Sequence, residues 1–120
     1  MADFLMCEEN ESILLEIIQG EGDADSGCFE ELEAHTDGAV ALKHVPCVTV
    51  EGDRVLVHIG SEKHPMMPEH YITFIYMETE NGGQIKRLQP GDEPEAEFIL
   101  APGDSLKKVY AYCNIHGLWK

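Results

Sequence analysis

The 120-residue sequence is poor in basic residues: 8 Lys and Arg stand against 23 Asp and Glu, for a formal net charge of −15. Without a basic stripe to neutralise phosphates, nucleic acid is excluded as a partner, and so is docking on an anionic membrane. Long apolar runs are also missing, and none approaches the ~20 residues that a membrane-spanning helix needs. The start, Met1-Ala2-Asp3, is acidic and has no basic n-region, so it does not read as a secretory signal. With no sign of export, Cys7, Cys28, Cys47 and Cys113 are expected as thiols of a cytoplasmic protein rather than as two disulfides. There is no P-loop, no dinucleotide-type glycine motif, no heptad, no internal repeat and no crossover helix long enough for a βαβ unit. The apolar share of 43 % suffices for one domain-sized core without disulfides.

What is present is unevenly spread. Residues 1–43 carry 12 acids and one base, whereas residues 44–120 carry 11 acids and 7 bases. The first segment has one strong apolar patch, Ile13-Leu14-Leu15-Glu16-Ile17-Ile18, and an acidic turn-rich stretch, Gly20 to Gly27. The patch is too short for periodicity to separate helix from strand, and its β-branched residues favour strand. Two readings stay open for this segment: a loosely held acidic arm, or a small subdomain.

The second segment reads as antiparallel β. Cys47–Val50 and Arg54–Ile59, split by Glu51-Gly52-Asp53, form a hairpin. Tyr71–Met77 is apolar on both faces and therefore central. Asn81-Gly82-Gly83, Pro90-Gly91-Asp92 and Pro102-Gly103-Asp104 are turns, bounding strands at 85–89, 95–100 and 107–113. Residues 95–100 and 107–113 alternate polar with apolar, so each turns one face to solvent, and Lys108, Tyr110 and Tyr112 are expected on that face. Short strands with regular turns predict an all-β sandwich or barrel. Cys47, early in its strand, is expected to be buried.

Of the six histidines, His35 and His58 read as surface residues, the latter opposite Val55, Val57 and Ile59. The other four, His44, His64, His70 and His116, lie in breaks between strands. Cys113-x-x-His116 is a compact chelate if the chain turns sharply, which Asn114 and Gly117 favour. Pro65 and Pro68 stiffen the loop carrying His64 and His70, lowering the entropy cost of ordering it. Imidazole and thiolate select late first-row metals over Mg²⁺ or Ca²⁺. Four nitrogens and one thiolate suit a square-pyramidal iron with an open position; a tetrahedral zinc is the rival. From composition alone, a structural zinc-binding sandwich and a non-catalytic iron electron carrier both stay open.

Several segments, in order and with matching spacing, resemble the superoxide reductase family of desulfoferrodoxins and neelaredoxins. They are Lys43-His44-Val45-Pro46, His64-Pro65-Met66 with His70-Tyr71-Ile72, Gln89 to Phe98, and Tyr112-Cys113-Asn114-Ile115-His116-Gly117-Leu118-Trp119-Lys120. The resemblance implies an immunoglobulin-like antiparallel β-sandwich over residues 37–120. It further implies one mononuclear iron held equatorially by His44, His64, His70 and His116 and axially by Cys113. The implied activity is one-electron reduction of superoxide to hydrogen peroxide without dioxygen, supplied by a rubredoxin-like donor, in a homodimer or homotetramer. Lys43, beside a ligand, is the expected catalytic residue, attracting the anion and helping to bring in a proton. Lys63 is expected to add positive charge, and Ile115 and Trp119 to shield the sulfur.

Two departures stand out. Many members carry Glu before the Lys-His pair, where Leu42 stands here, so no carboxylate from this position can reach the metal. The resemblance also implies that residues 1–36 are a degenerate desulforedoxin-like segment. Desulfoferrodoxins hold a second iron with four cysteines, and only Cys7 and Cys28 remain here. A disulfide between these two is an alternative fate.

Overall fold

The computed structural model describes residues 3–17 and 29–120, which fall into two compact units, Met1–Glu33 and Ala34–Lys120. The first is a small antiparallel sheet of β1 (Asp3–Cys7), β2 (Ile13–Glu16) and β3 (Phe29–Leu32), in the order β2-β1-β3. The β-branched start of the apolar patch does form a strand, with Leu14 opposite Leu5. The turn between them is closed by Cys7 N–H to the Ser12 carbonyl at 2.9 Å and Ser12 N–H to Asn10 Oδ1 at 3.0 Å. Phe4 is buried, whereas Leu14 and Phe29 remain exposed. The acidic stretch 20–27 and Cys28, with any disulfide to Cys7, lie outside the described residues.

The second unit is an antiparallel β-sandwich. One sheet has the order β4-β5-β8, from β4 (Pro46–Glu51), β5 (Arg54–Ile59) and β8 (Glu95–Ile99). The other has the order β10-β9-β6-β7, from β6 (Ile72–Thr79), β7 (Gly83–Arg87), β9 (Leu106–Cys113) and β10 (Gly117–Trp119). The expected hairpin is β4–β5, with Val50 opposite Val55 and Glu51 opposite Arg54. The expected central strand is β6, flanked by β7 and β9. Alternation puts Val55, Val57 and Ile59 of β5, Ala96 and Phe98 of β8, and Val109, Ala111 and Cys113 of β9 into one core. Ile72, Ile75 and Met77 of β6, all fully buried, join it with Leu88 and Leu100. Among the described residues, no helix is long and apolar enough to cross a membrane.

Two sequence expectations need correction. Tyr110 is buried rather than solvent-facing, because the outer faces of β6 and β9 carry cross-strand aromatic pairs. Phe74 stacks on Tyr112 with centroids 5.7 Å apart, and Tyr76 lies 6.3 Å from Tyr110. Such pairs join strands on a face that alternation alone would assign to water. Cys47 is only half-buried, because it pairs with the exposed His58 on the outward face of β4; Val48 and Val50, opposite Val57 and Val55 on the other face, are exposed because β4 is an edge strand.

Candidate metal centre

The four loop histidines and Cys113 converge at one end of the sandwich, brought there by three short devices. The first is α1 (Ala41–His44), a single helical turn entering β4. Its last residue, His44, is buried, and His44 Nδ1 donates to the Val40 carbonyl at 2.7 Å. The second is the proline-stiffened loop between β5 and β6. It buries His64, whose Nδ1 donates to the Pro65 carbonyl at 2.6 Å, and it is pinned by reciprocal backbone bonds between Met67 and His70, both 3.0 Å. The third is the tight turn from β9 to β10. Gly117, in the left-handed region at φ 83°, pairs with Cys113, so residues 113 and 116 flank one bend.

Two unforeseen residues lock these pieces together. Gly60 has φ 82°, and a Cβ there would lie 2.7 Å from the carbonyl carbon and oxygen of Lys43 and closer still to the Glu62 carbonyl. Only glycine lets the loop after β5 press on the segment leading to His44; Gly60 N–H meets the Val45 carbonyl at 3.0 Å, and Glu62 N–H the Leu42 carbonyl at 3.1 Å. Asn114 reaches across to the His70 segment. Its Oδ1 accepts from Tyr71 N–H at 2.9 Å, its Nδ2 donates to the Glu69 carbonyl at 3.1 Å, and its own N–H donates to the Tyr71 carbonyl at 3.2 Å. The sequence offered Asn114 as a turn former; the long-range contacts of both residues have no local signal.

The donor atoms of His44, His64, His70 and Cys113 all lie within 4.8 Å of one another. His116 stands beside them, with Nδ1 3.8 Å from Cys113 Sγ and its ring centroid 4.7 Å from that of His44. His44 Nε2 and His64 Nε2 face each other at 3.0 Å. Both Nδ1 atoms spend their proton on a carbonyl, so both Nε2 atoms of the neutral rings carry lone pairs. Apposed lone pairs repel unless a cation draws on both. The separation matches two donors at right angles on bonds of ~2.1 Å. His70 Nε2 is buried beside them without a hydrogen-bond partner.

Electrostatics keep the rings neutral. Burial pushes the His64 pKa down to about 4, against the Pro65 hydrogen bond that favours the charged form. Burial also lowers His44, with smaller contributions from His116, His70 and the Lys43 ammonium. His70 is lowered by burial, then by His116, with Lys43 acting in the same direction and Glu69 against it. Lys43 is thus exposed yet close enough for its charge to be felt by two rings of the cluster.

Other expected neighbours behave differently. Lys63 ion-pairs with Glu93 at 2.8 Å, so its charge is compensated locally. Ile115 is 56 % exposed, and Cys113 is buried as a member of the sandwich core. Trp119 is buried, stacks on His44 with centroids 4.9 Å apart, and donates through Nε1 to the His116 carbonyl at 3.1 Å. His58 is exposed on β5, as expected, and His35 is exposed beside β10. Leu42 is 61 % exposed and brings no carboxylate.

Comparison with known proteins places this geometry in a class of non-haem metal proteins. The family model described as Desulfoferrodoxin matches residues 36–120. A desulfoferrodoxin of Clostridium acetobutylicum is 36 % identical over 116 residues, covering 93 % of this chain and 90 % of that protein. A desulfoferrodoxin homolog of Archaeoglobus fulgidus is 43 % identical over 89 residues, covering 74 % of this chain and 70 % of its own length. The crystal structure of the superoxide reductase from Treponema pallidum superposes with a TM-score of 0.82 at 32 % identity, covering 99 % of this chain and 96 % of that one. The chain belongs to the desulfoferrodoxin family.

Proposed function

We infer that this chain is a superoxide reductase, adding one electron and two protons to superoxide to give hydrogen peroxide without dioxygen. The observation that carries the reading is the 3.0 Å apposition of the His44 and His64 Nε2 atoms inside a His/Cys cluster, a geometry that asks for a metal ion. Imidazoles and one thiolate fit iron and do not fit Mg²⁺ or Ca²⁺. In this reading His44, His64, His70, His116 and Cys113 would hold one mononuclear iron per chain. Iron bound there supplies the ferrous–ferric couple that no side chain of the protein offers.

The side chains do the rest. Cys113 would be the sulfur donor of the set, and as a thiolate it would supply electron density to a bound iron. The carbonyls of Val40 and Pro65 fix the tautomers of His44 and His64, keeping each Nε2 aimed inward. Lys43 Nζ attracts the anion locally against the overall charge of −15 and holds a proton that peroxide formation consumes.

The rubredoxin-like donor, a homodimer or homotetramer and a cytoplasmic setting belong to the same proposal. The free thiols at Cys47 and Cys113 suit a reducing compartment, and the exposed inward side of edge strand β4 suits assembly. Residues 1–36 as a degenerate desulforedoxin-like segment and 37–120 as the iron domain complete it. The test is iron analysis with pulse-generated superoxide on the ferrous protein. Stoichiometric iron and peroxide free of dioxygen are expected; a centre that takes up only zinc, or dioxygen released alongside peroxide, overturns the assignment.

A further inference from the structure

Three rings run from solvent to the metal cluster. His35 is exposed, Trp119 is 3 % exposed and His44 is 1 % exposed. The His35 and Trp119 centroids are 5.2 Å apart at 49°, and Trp119 stacks on His44 at 4.9 Å and 27°. His35 precedes the sandwich strands, yet its backbone is laced along β10. His35 N–H donates to the Leu118 carbonyl at 2.8 Å, and Lys120 N–H to the His35 carbonyl at 3.1 Å. Its ring also lies over Gly117, where an added Cβ would stand 4.0 Å from His35 Nε2. The sole tryptophan of the chain therefore sits between an exposed imidazole and a candidate ligand, with its Nε1–H on the carbonyl of another, His116.

We propose that the surface around His35 is the docking and electron-entry site for a small one-electron carrier protein, with Trp119 as the bridge to His44. This rests on the superoxide reductase reading, which requires the centre to be re-reduced after each turnover. One electron leaves the reduced carrier, which is oxidised by one unit, and the ferric centre becomes ferrous; neither ring changes its own oxidation state. Tunnelling falls off steeply through open space, and two ring-to-ring steps in van der Waals contact shorten that gap.

The test uses the full iron-loaded chain and compares wild type with His35→Ala and His35→Phe. Reduced rubredoxin serves as the probe carrier and dithionite as a small reductant. The readout is the ratio of the two reduction rates, since a changed potential moves both. His35→Ala is expected to lower that ratio about tenfold and His35→Phe, which keeps a ring, to restore most of it. Oxidation of the ferrous protein by superoxide is expected to be unchanged in both variants. On zinc-loaded, redox-silent protein, rubredoxin is expected to shift the amide resonances of residues 33–37 and 117–120. An unchanged ratio in His35→Ala, or amide shifts centred on Lys43 and Met67, overturns the proposal. Failure of the wild-type ferrous protein to react with superoxide would instead bring down the functional reading beneath it.

Discussion

The two units of this chain show how differently β-structure can be supported. The N-terminal sheet has three paired strands, yet among its described residues Phe4 is the one apolar side chain that is buried. The sandwich buries apolar residues from both of its sheets and closes one end with a cluster of imidazoles around a thiol. Backbone pairing alone keeps strands together weakly; a hydrophobic face or a bound ion is what makes a small sheet independent. The N-terminal unit retains Cys7 in a half-buried position without a set of metal-binding partners among the described residues. A cysteine matters here only where the fold delivers other donors to it.

The sharpest way to break this comparison is to exchange the two thiols for hydroxyls. Cys113→Ser should abolish the thiolate-dependent absorption of the iron protein and cut the rate with superoxide by ~100-fold or more, since it removes the sulfur donor of the proposed site. Cys7→Ser should leave iron content and rate unchanged. Metal analysis and visible spectra decide it, and equal losses in both variants would tie the two units into one site.

A second contrast concerns packing. Ile75 is fully buried at the centre of the sandwich, whereas Leu14 of the N-terminal sheet is 41 % exposed. Ile75→Ala should cost about 2–5 kcal/mol in urea unfolding of the full chain, and Leu14→Ala well under half of that. A larger loss at Leu14 would mean that the small sheet carries more of the stability than its sparse burial implies.

The sequence disclosed those parts of the molecule whose physics is local. Alternation located β8, the Asn-Gly-Gly and Pro-Gly-Asp turns divided the strands, and β-branched residues marked β2. The four histidines and Cys113 came from loop placement and, in their grouping, from family resemblance. Hidden were contacts between distant segments. The Tyr110 burial depends on the strand opposite, the Lys63 charge is compensated by Glu93 thirty positions away, and the Asn114 amide is committed to Glu69 and Tyr71. Strand β7 begins at Gly83, ahead of the expected 85, because Gly83 pairs with Glu78 across the hairpin.

Gly60 allows a finer cut at the same contrast, because it affects the site without touching a donor atom. Gly60→Ala places a methyl against the Lys43 and Glu62 carbonyls in a left-handed backbone. A loss of about 1–3 kcal/mol is expected from strain, together with weaker metal binding as the His44 segment is pushed away. Cobalt titration alongside urea unfolding separates the two effects. Asn114→Ala should be milder, at about 1–2 kcal/mol for two lost side-chain hydrogen bonds, with cobalt affinity down about tenfold. Full affinity in that variant would show that the turn and the His70 segment hold their places unaided.

The smallest expected effect lies at the Pro102-Gly103-Asp104 turn. Asp104 is held below the ordinary aspartate value first by a hydrogen bond from the Thr79 side chain, then by backbone N–H groups including Ser105 at 2.9 Å and Asn81 at 3.1 Å. A carboxyl with a lowered folded pKa stabilises the fold at pH above its unfolded value. That contribution fades as acid carries the pH down from about 3.8 through the lower folded value. Asp104→Asn keeps the acceptor oxygen and removes the charge, so its urea midpoint should trail wild type slightly at pH 6 and converge with it toward pH 2. Because the turn is solvent-exposed and far in sequence from every donor, metal affinity should not follow the same curve. A parallel fall would mean that the turn and the metal end of the sandwich yield to acid as one cooperative unit.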